Sequence, residues 1–351
     1  QLVGLFYSNL EVINFAISQK NNIKDSTMLQ NFILSLFSKN LFFQMFQLAD
    51  YLAIIAKIFS ETVCVDSIKN FKILTFSKSI NSLTVEKGYK IVGAGSNISN
   101  IDPSWLQWFI GFVEGDGTLS CDKNGRLTFV ITQNEKAILY HIQSVLGFGS
   151  VLFDSGVQSW RYRVGDFPTI FELAKLFNGN LVTDHRIEQL STWIKVLQSK
   201  GYNITLIKTN ANISFKDGWL SGFCDAESCF NVNIYARKAM KVGFRVVLRF
   251  LLDQKDQKIL LQIRNLFGFG NVTFRKDTVG CYRFTADAFT RLQPIEDYFK
   301  AFPLRTFKKE AFIKWSEIRC MMLNKDHTRP EGFDKIKQLA KLVNDKSTMD
   351  L

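Results

Sequence analysis

Histidine, proline and cysteine are all scarce in this chain, and each scarcity narrows the field. Three histidines in 351 residues make a His-ligated metal site improbable on numbers alone. Six cysteines without regular spacing exclude a disulfide scaffold, and no Cys/His grouping has zinc-site spacing. A long uncharged apolar run is also missing. The most apolar stretch, Leu41 to Phe59, is interrupted by Gln44, Gln47, Asp50 and Lys57, which suits an amphipathic helix and excludes a membrane span. The first 30 residues carry no charged-then-apolar export signal. The five prolines stand against 33 phenylalanines, with Lys, Asn and Ile also common. This bias fits an AT-rich organellar gene, mitochondrial or plastid. Gln1 as first residue fits a fragment or an in-frame continuation of an upstream exon.

What is present is apolar and basic. Hydrophobic residues make up 46% and charged residues 22%, which rules out a wholly disordered chain, and the length suits two or three domains. The net charge of +12 calls for a polyanionic partner. Residues 1–98 stand apart, because Trp, Arg and Pro are absent from them and they carry only +3 of that charge. They read as a mainly helical or poorly ordered N-terminal extension, closed by the small, flexible linker Val92-Gly-Ala-Gly-Ser-Asn97.

Beyond the linker the sequence repeats itself. Trp108-Phe-Ile-Gly-Phe-Val-Glu-Gly-Asp116-Gly answers Trp219-Leu-Ser-Gly-Phe-Cys-Asp-Ala-Glu227-Ser. Gln133 precedes Gly147-Phe-Gly149 by 14 residues, as Gln254 precedes Gly268-Phe-Gly270 by 14. Arg186 precedes Trp193 by 7, as Lys308 precedes Trp315 by 7. The landmarks divide the chain into the extension (1–98), a first repeat (99–206), a second repeat (207–329) and a basic C-terminal helix or tail (330–351).

Each repeat reads as helix, hairpin, helix, hairpin, helix. Trp105, Trp108, Phe109, Phe112 and Val113 have helical spacing. Alternating segments flank Asn124-Gly125, a strong hairpin signal, and a helix follows to Leu146. Strands near 150–153 and 159–164, then helices from Phe167 and Asp184, complete the unit. The second repeat has ten more residues between its motif acid and its Gln, hence a longer first hairpin.

The chemistry concentrates at the motif ends. Gly111 and Gly115, like Gly222 and Ala226, are small residues four apart on one helical face, so two such helices can approach closely. Packed together, they bring Asp116 and Glu227 to the same end. Adjacent carboxylates are costly unless a cation neutralises them, and hard divalent cations take such oxygens. Two acids and a metal fit phosphodiester hydrolysis. Glu114 and Asp225 read as helix-end or packing acids.

Phe109-Ile-Gly-Phe-Val-Glu-Gly-Asp-Gly117 and Leu220-Ser-Gly-Phe-Cys-Asp-Ala-Glu-Ser228 resemble the two motifs of a monomeric LAGLIDADG homing endonuclease. The resemblance covers residues 100 to 320. It implies an α+β fold of two pseudo-symmetric αββαββα repeats, paired motif helices at the centre, and two sheets forming a saddle on DNA. It implies Mg²⁺ or another divalent cation on Asp116 and Glu227, with the carbonyls of Gly115 and Ala226 as further ligands. It places Gln133 and Gln254 beside the metal-bound water, and Arg186 and Lys308 near the scissile phosphate. A one-residue slip between the repeats leaves His185 or Lys309 as alternatives for the last pair. Two departures bear on geometry. Ile110 stands where a small residue is usual, predicting looser helix packing, and Ser228 replaces a Gly after the second acid, raising the question of backbone strain.

A sheet in the major groove offers every second side chain to bases. Counting from the acids gives Thr118, Ser120 and Asp122, then Asn231, Asn233, Tyr235 and Arg237. The return strands offer Arg126 and Thr128, then Arg245 and Arg249. The second hairpins offer Arg161 and Arg163, then Asn271, Thr273, Arg275 and Arg283. Lys241 at the hairpin tip suits phosphate. The reading is a monomeric, metal-dependent, site-specific double-strand DNA endonuclease, encoded by a mobile intron in an organelle, with no membrane role. The alternative is an RNA maturase whose partner is its host intron RNA.

Overall fold

A computed structural model of the chain describes residues 98–207 and 212–344. The amphipathic stretch at 41–59, the linker and the end of the C-terminal tail lie outside the described residues.

Asp102 accepts from the Ser104 amide (3.0 Å) and Pro103 takes the first helical position, starting helix α1 (Pro103–Asp116). Strands β1 (Gly117–Cys121) and β2 (Leu127–Gln133), helix α2 (Lys136–Leu146), and strands β3 (Ser150–Asp154) and β4 (Ser159–Val164) follow. Helices α3 (Phe167–Phe177) and α4 (Asp184–Ser199) close the first repeat. The second copies it: α5 (Trp219–Glu227), β5 (Ser228–Ala236), β6 (Phe244–Gln254), α6 (Gln257–Phe267), β7 (Asn271–Phe274), β8 (Tyr282–Ala286), α7 (Gln293–Ala301) and α8 (Lys308–Leu323). The two antiparallel sheets have the same order, β1-β2-β4-β3 and β5-β6-β8-β7.

Alternation sets what faces the helices. Leu119, Leu127, Phe129, Ile131, Tyr162 and Val164 are buried on one face of the first sheet, and Thr118, Ser120 and Arg163 are exposed on the other. The motif helices of the two repeats share one ring pair. Trp108 stacks on Phe112 and Trp219 on Phe223, each with centroids 5.0 Å apart and planes 14° apart. The Gly-Phe-Gly landmarks have a shared conformational cause. Gly147 and Gly268 end their helices in the left-handed region, both at φ +75°.

Helices α1 and α5 meet backbone to backbone. A Cβ on Gly111 would lie 1.9 Å from the Trp219 carbonyl oxygen, and one on Gly222 would lie 1.8 Å from that of Trp108. The looser packing expected from Ile110 does not occur. Ile110 is buried, and the contact is carried by Gly111 beside it.

The second repeat's first hairpin is longer, its strands spanning 9 and 11 residues against 5 and 7. The C-terminal segment is built into this repeat rather than trailing from it. Helix α9 (Pro330–Asn344) buries Phe333, Ile336, Ala340 and Val343 against α8 and β5, and Phe333 stacks on Phe244 of β6 at 5.1 Å.

Candidate functional site

The close approach of α1 and α5 sets their C-terminal acids side by side. A Cβ on Gly115 would touch Ala226 Cβ at 2.3 Å and Glu227 Cγ at 3.1 Å. The chain leaves both helices in extended conformation, at Gly117 (φ −78°, ψ 158°) and Ser228 (φ −87°, ψ 161°). Ser228 is therefore unstrained, and its replacement of Gly costs nothing in backbone geometry.

Gln133 Nε2 donates to Asp116 Oδ2, and Gln254 Nε2 donates to Glu227 Oε1 at 2.8 Å. Arg186 Nη2 donates to the Gly115 carbonyl at 2.9 Å, and Lys308 Nζ to the Ala226 carbonyl at 2.8 Å. Of the alternatives left by the slip between repeats, Arg186 and Lys308 turn inward, while His185 and Lys309 are exposed.

Glu114 and Asp225 lie directly beneath. Glu114 accepts from the Val182 and Thr183 amides and from the Thr183 hydroxyl. Asp225 accepts from the amides of Arg305 (2.7 Å) and Thr306 (3.2 Å), the Thr306 hydroxyl (2.5 Å) and Trp108 Nε1 (2.7 Å). Both are packing acids, and each pins the start of the helix that carries a basic residue.

Burial dominates the electrostatics. It pushes Asp116 up to about 6, opposed by Lys308, Gln133 and Arg186. Burial, then the Asp116 charge, pushes Glu227 up to about 7. Burial raises Glu114 to about 7 and also raises Asp225. Lys308 and Arg186 are pulled below their ordinary values by burial and held up by these carboxyls. Among the described residues no three His, Cys, Asp or Glu side chains converge as a metal cage. The donors at this centre are two carboxylates and two carbonyls, all hard oxygens. With Glu114 and Asp225, four carboxyls surround two cations, so a divalent cation fits the charge as well as the donor type.

The exposed sheet faces carry most of the residues selected by alternation. Thr118, Val130, Arg163 and Ser150 lie in one cross-strand row, and Thr132, Arg161 and Leu152 in the next. Ser120 donates to the Thr128 carbonyl at 3.0 Å. In the second sheet Asn231 faces Arg249, Tyr235 faces Arg245, and Asn271 lies in the row of Thr285 and Leu251. In the amide orientation that satisfies both its ends, Asn233 donates to Asn231 Oδ1 (2.8 Å) and accepts from both Arg249 Nη atoms (3.2 Å). Arg245 lies 5.9 Å over the Tyr235 ring. Arg237 and Lys241 lie in the loop between β5 and β6, and Arg126 precedes β2.

Asp122 lies in the turn just past the end of β1. Its Oδ1 accepts from the Asn124 and Arg126 amides, both at 2.8 Å, so it anchors its own turn. Several arginines are also held in pairs. Arg161 meets Asp154 at 2.6 Å. Arg283 Nε and Nη2 both reach Asp253 at 2.6 Å, and Arg275 spans Asp253 and Asp277, also at 2.6 Å. Asp253 was missed. It faces Arg283, which in turn faces Thr273, so continuing the count by two beyond Arg249 reaches it.

The sequence profile of the family described as LAGLIDADG endonuclease matches residues 109–197 and 220–319. "Probable intron-encoded endonuclease 4" of Neurospora crassa is 36% identical over 247 residues, 69% of this chain and 45% of that protein. "Intron-encoded RNA maturase bI4" of Saccharomyces cerevisiae is 29% identical over 212 residues, 59% of this chain and 30% of that protein. The chain thus spans less than half the length of either relative. The solved LAGLIDADG meganuclease I-AabMI, bound to uncleaved DNA, superimposes with a TM-score of 0.59 at 24% identity, over 70% of this chain and all of that one.

Proposed function

We propose that this chain, which belongs to the LAGLIDADG endonuclease family, is a site-specific endonuclease that hydrolyses both strands of a long asymmetric DNA target. The observation that carries the reading is the pairing of Asp116 and Glu227 across the α1–α5 contact, each held by a Gln and backed by a basic residue.

Asp116 and Glu227, with the Gly115 and Ala226 carbonyls, would hold divalent cations, Mg²⁺ by preference for hard oxygen donors. Bound there, such ions supply a water activated at neutral pH and charge neutralisation at the leaving oxygen. The chain's own residues do the rest. Gln133 and Gln254 fix the carboxylate rotamers through their amide donors. Arg186 and Lys308 supply positive charge where negative charge grows on the phosphate, in a desolvated setting where it counts most. The two exposed sheet faces supply base contacts, richer in arginine in the second repeat, and Lys241 adds phosphate contact. Because one chain holds both halves, it acts as a monomer and is not bound to a palindrome. An intron is the genetic setting that the names of these relatives support, and the Phe-, Lys-, Asn- and Ile-rich composition suits an organelle such as the mitochondrion. The maturase reading rests on the name of the yeast relative alone, and buried paired acids are not needed for RNA binding.

The test is selection of cut ends from a DNA library randomised across the site, with Mg²⁺. The expected result is one asymmetric consensus, with no cutting by Asp116→Asn or Glu227→Gln. Binding without cutting, or undiminished cutting by both variants, overturns the proposal. Tight binding of folded intron RNA without DNA cleavage would favour the maturase.

A further inference from the structure

The two repeats touch at a point that no motif marks. Glu135, two residues after Gln133, places Oε2 2.9 Å from the amide of Phe307, 172 residues away in the other repeat. Phe307 caps the start of α8, and the next residue is Lys308. One short turn of the first repeat therefore touches both halves of the centre. Gln133 donates to Asp116, and Glu135 holds the helix start that carries Lys308.

The contact has a reason in helix geometry. The first amides of a helix lack internal acceptors, and a carboxylate there also meets the positive end of the helix dipole. The threonine anchors of the two repeats are equivalent, Thr183 on Glu114 and Thr306 on Asp225. Arg186 follows its threonine by three residues and Lys308 by two. Helix α8 accordingly begins one position later than α4, capped by Phe307 where α4 is capped by Thr183. Neither N-cap side chain caps its own helix. At α8 the Thr306 hydroxyl accepts from the Lys308 amide at 3.3 Å, and Glu135 adds an acceptor for the Phe307 amide from across the interface.

The reverse contact differs in kind. Asp256, which follows Gln254 by two, turns its Oδ1 onto the Lys258 amide of its own helix at 2.8 Å. Among the described residues, the contact from that corner to α4 is the Lys258–Asp184 ion pair. Its two side chains are 77% and 69% exposed, so it contributes little.

We propose that Glu135 is a positioning residue that couples the two halves: it fixes Lys308 for one strand cut, while Arg186, serving the other strand, needs no such brace. The proposal rests on the nuclease reading above. Without Glu135 the α8 start shifts, Lys308 leaves the Ala226 carbonyl, and the enzyme drifts towards a nickase of fixed strand preference.

The test uses the full chain, Mg²⁺ and a duplex holding the selected target with a different label on each strand. Glu135→Ala should slow cutting of one strand by about 10- to 100-fold, the loss expected when a reacting group is misplaced by about 1 Å. The other strand should keep wild-type speed. Glu135→Gln retains an acceptor oxygen and should restore both cuts. Lys258→Ala should leave the strand balance unchanged. If Glu135→Ala does not fold, Glu135→Asp keeps the charge but loses reach and should show the same split. Equal slowing of both strands in a folded variant would mean a merely structural role and overturn the coupling, as would wild-type cutting of both. A wild-type chain that cuts neither strand overturns the nuclease reading itself, and is told apart because no variant comparison is then needed.

Discussion

Substituting Gly222 by alanine tests the central contact most directly. The added Cβ would lie 1.8 Å from the Trp108 carbonyl oxygen and 2.7 Å from both the Trp108 carbonyl carbon and the Phe112 nitrogen. All three are backbone atoms, so no rotamer change relieves the clash. Bringing the oxygen out to an ordinary 3.4 Å contact requires about 1.6 Å of local helix separation. Overpacking against yielding side chains costs roughly 1–3 kcal/mol, and a rigid backbone places this case at or above the upper end. At about 3 kcal/mol, a domain of this size loses roughly 6–12 °C in Tm. Separation also pulls Glu227 away from Asp116, so cleavage should fall by about 100-fold or more in whatever fraction stays folded. Thermal unfolding by circular dichroism reads the first effect and single-turnover cleavage the second. Gly218→Ala is the control, because its Cβ would sit 3.0 Å from the nearest atom, the Ser104 carbonyl oxygen, and needs a shift of only a few tenths of an ångström. A Gly222→Ala protein melting within about 2 °C of wild type would refute the backbone-to-backbone account of this interface.

Three further outcomes follow from the same geometry. Asp116 rises from 3.8 to about 6 and Glu227 from 4.5 to about 7, so the folded state binds protons that the unfolded chain has released; metal-free stability should fall as pH rises from about 4 to 7, Asp116→Asn should raise the Tm at pH 7.5, and added Mg²⁺ should offset the fall. Arg249→Ala should cost about 1–3 kcal/mol and relax preference at one or two positions of one half-site, whereas Lys241→Ala should weaken all sequences alike and lower the salt slope by about one, both read from binding to a randomised library. Arg319→Leu leaves Glu296 buried opposite its lost partner at 3.1 Å and should cost roughly 3–5 kcal/mol in urea unfolding, far more than Lys335→Ala at the exposed pair with Glu317.

The repeat, its element order and the acids at its centre were legible because each rests on local spacing. Gly111 and Gly222 sit at a helical period, and Asn124-Gly125 marks a turn whatever surrounds it. The sheet face was legible as far as strict alternation holds. At Asp122, past the end of β1, the alternation gives way to turn chemistry, and a short polar side chain bonds its own turn. Asp253 was within reach of the same count, but a carboxylate on a surface meant for a polyanion becomes intelligible only beside Arg275 and Arg283. Glu135 was not legible at all. Its partner is a backbone amide 172 residues away, and no pattern of side chains encodes that.

The glycine contact also limits how such a protein can be rearranged. At Gly111 and Gly222 the place of the missing Cβ is filled by a carbonyl of the other motif helix: Trp219 oxygen at Gly111, Trp108 oxygen at Gly222. The fit depends on where two main chains run, so neither half is a free module. A recombinant that joined this first repeat to another protein's second repeat would inherit a foreign helix path at the one place where tenths of an ångström matter. Exchange of specificity between relatives should therefore succeed when the cut is made in the sheets, beyond β1 and β5, with both central helices kept from a single parent.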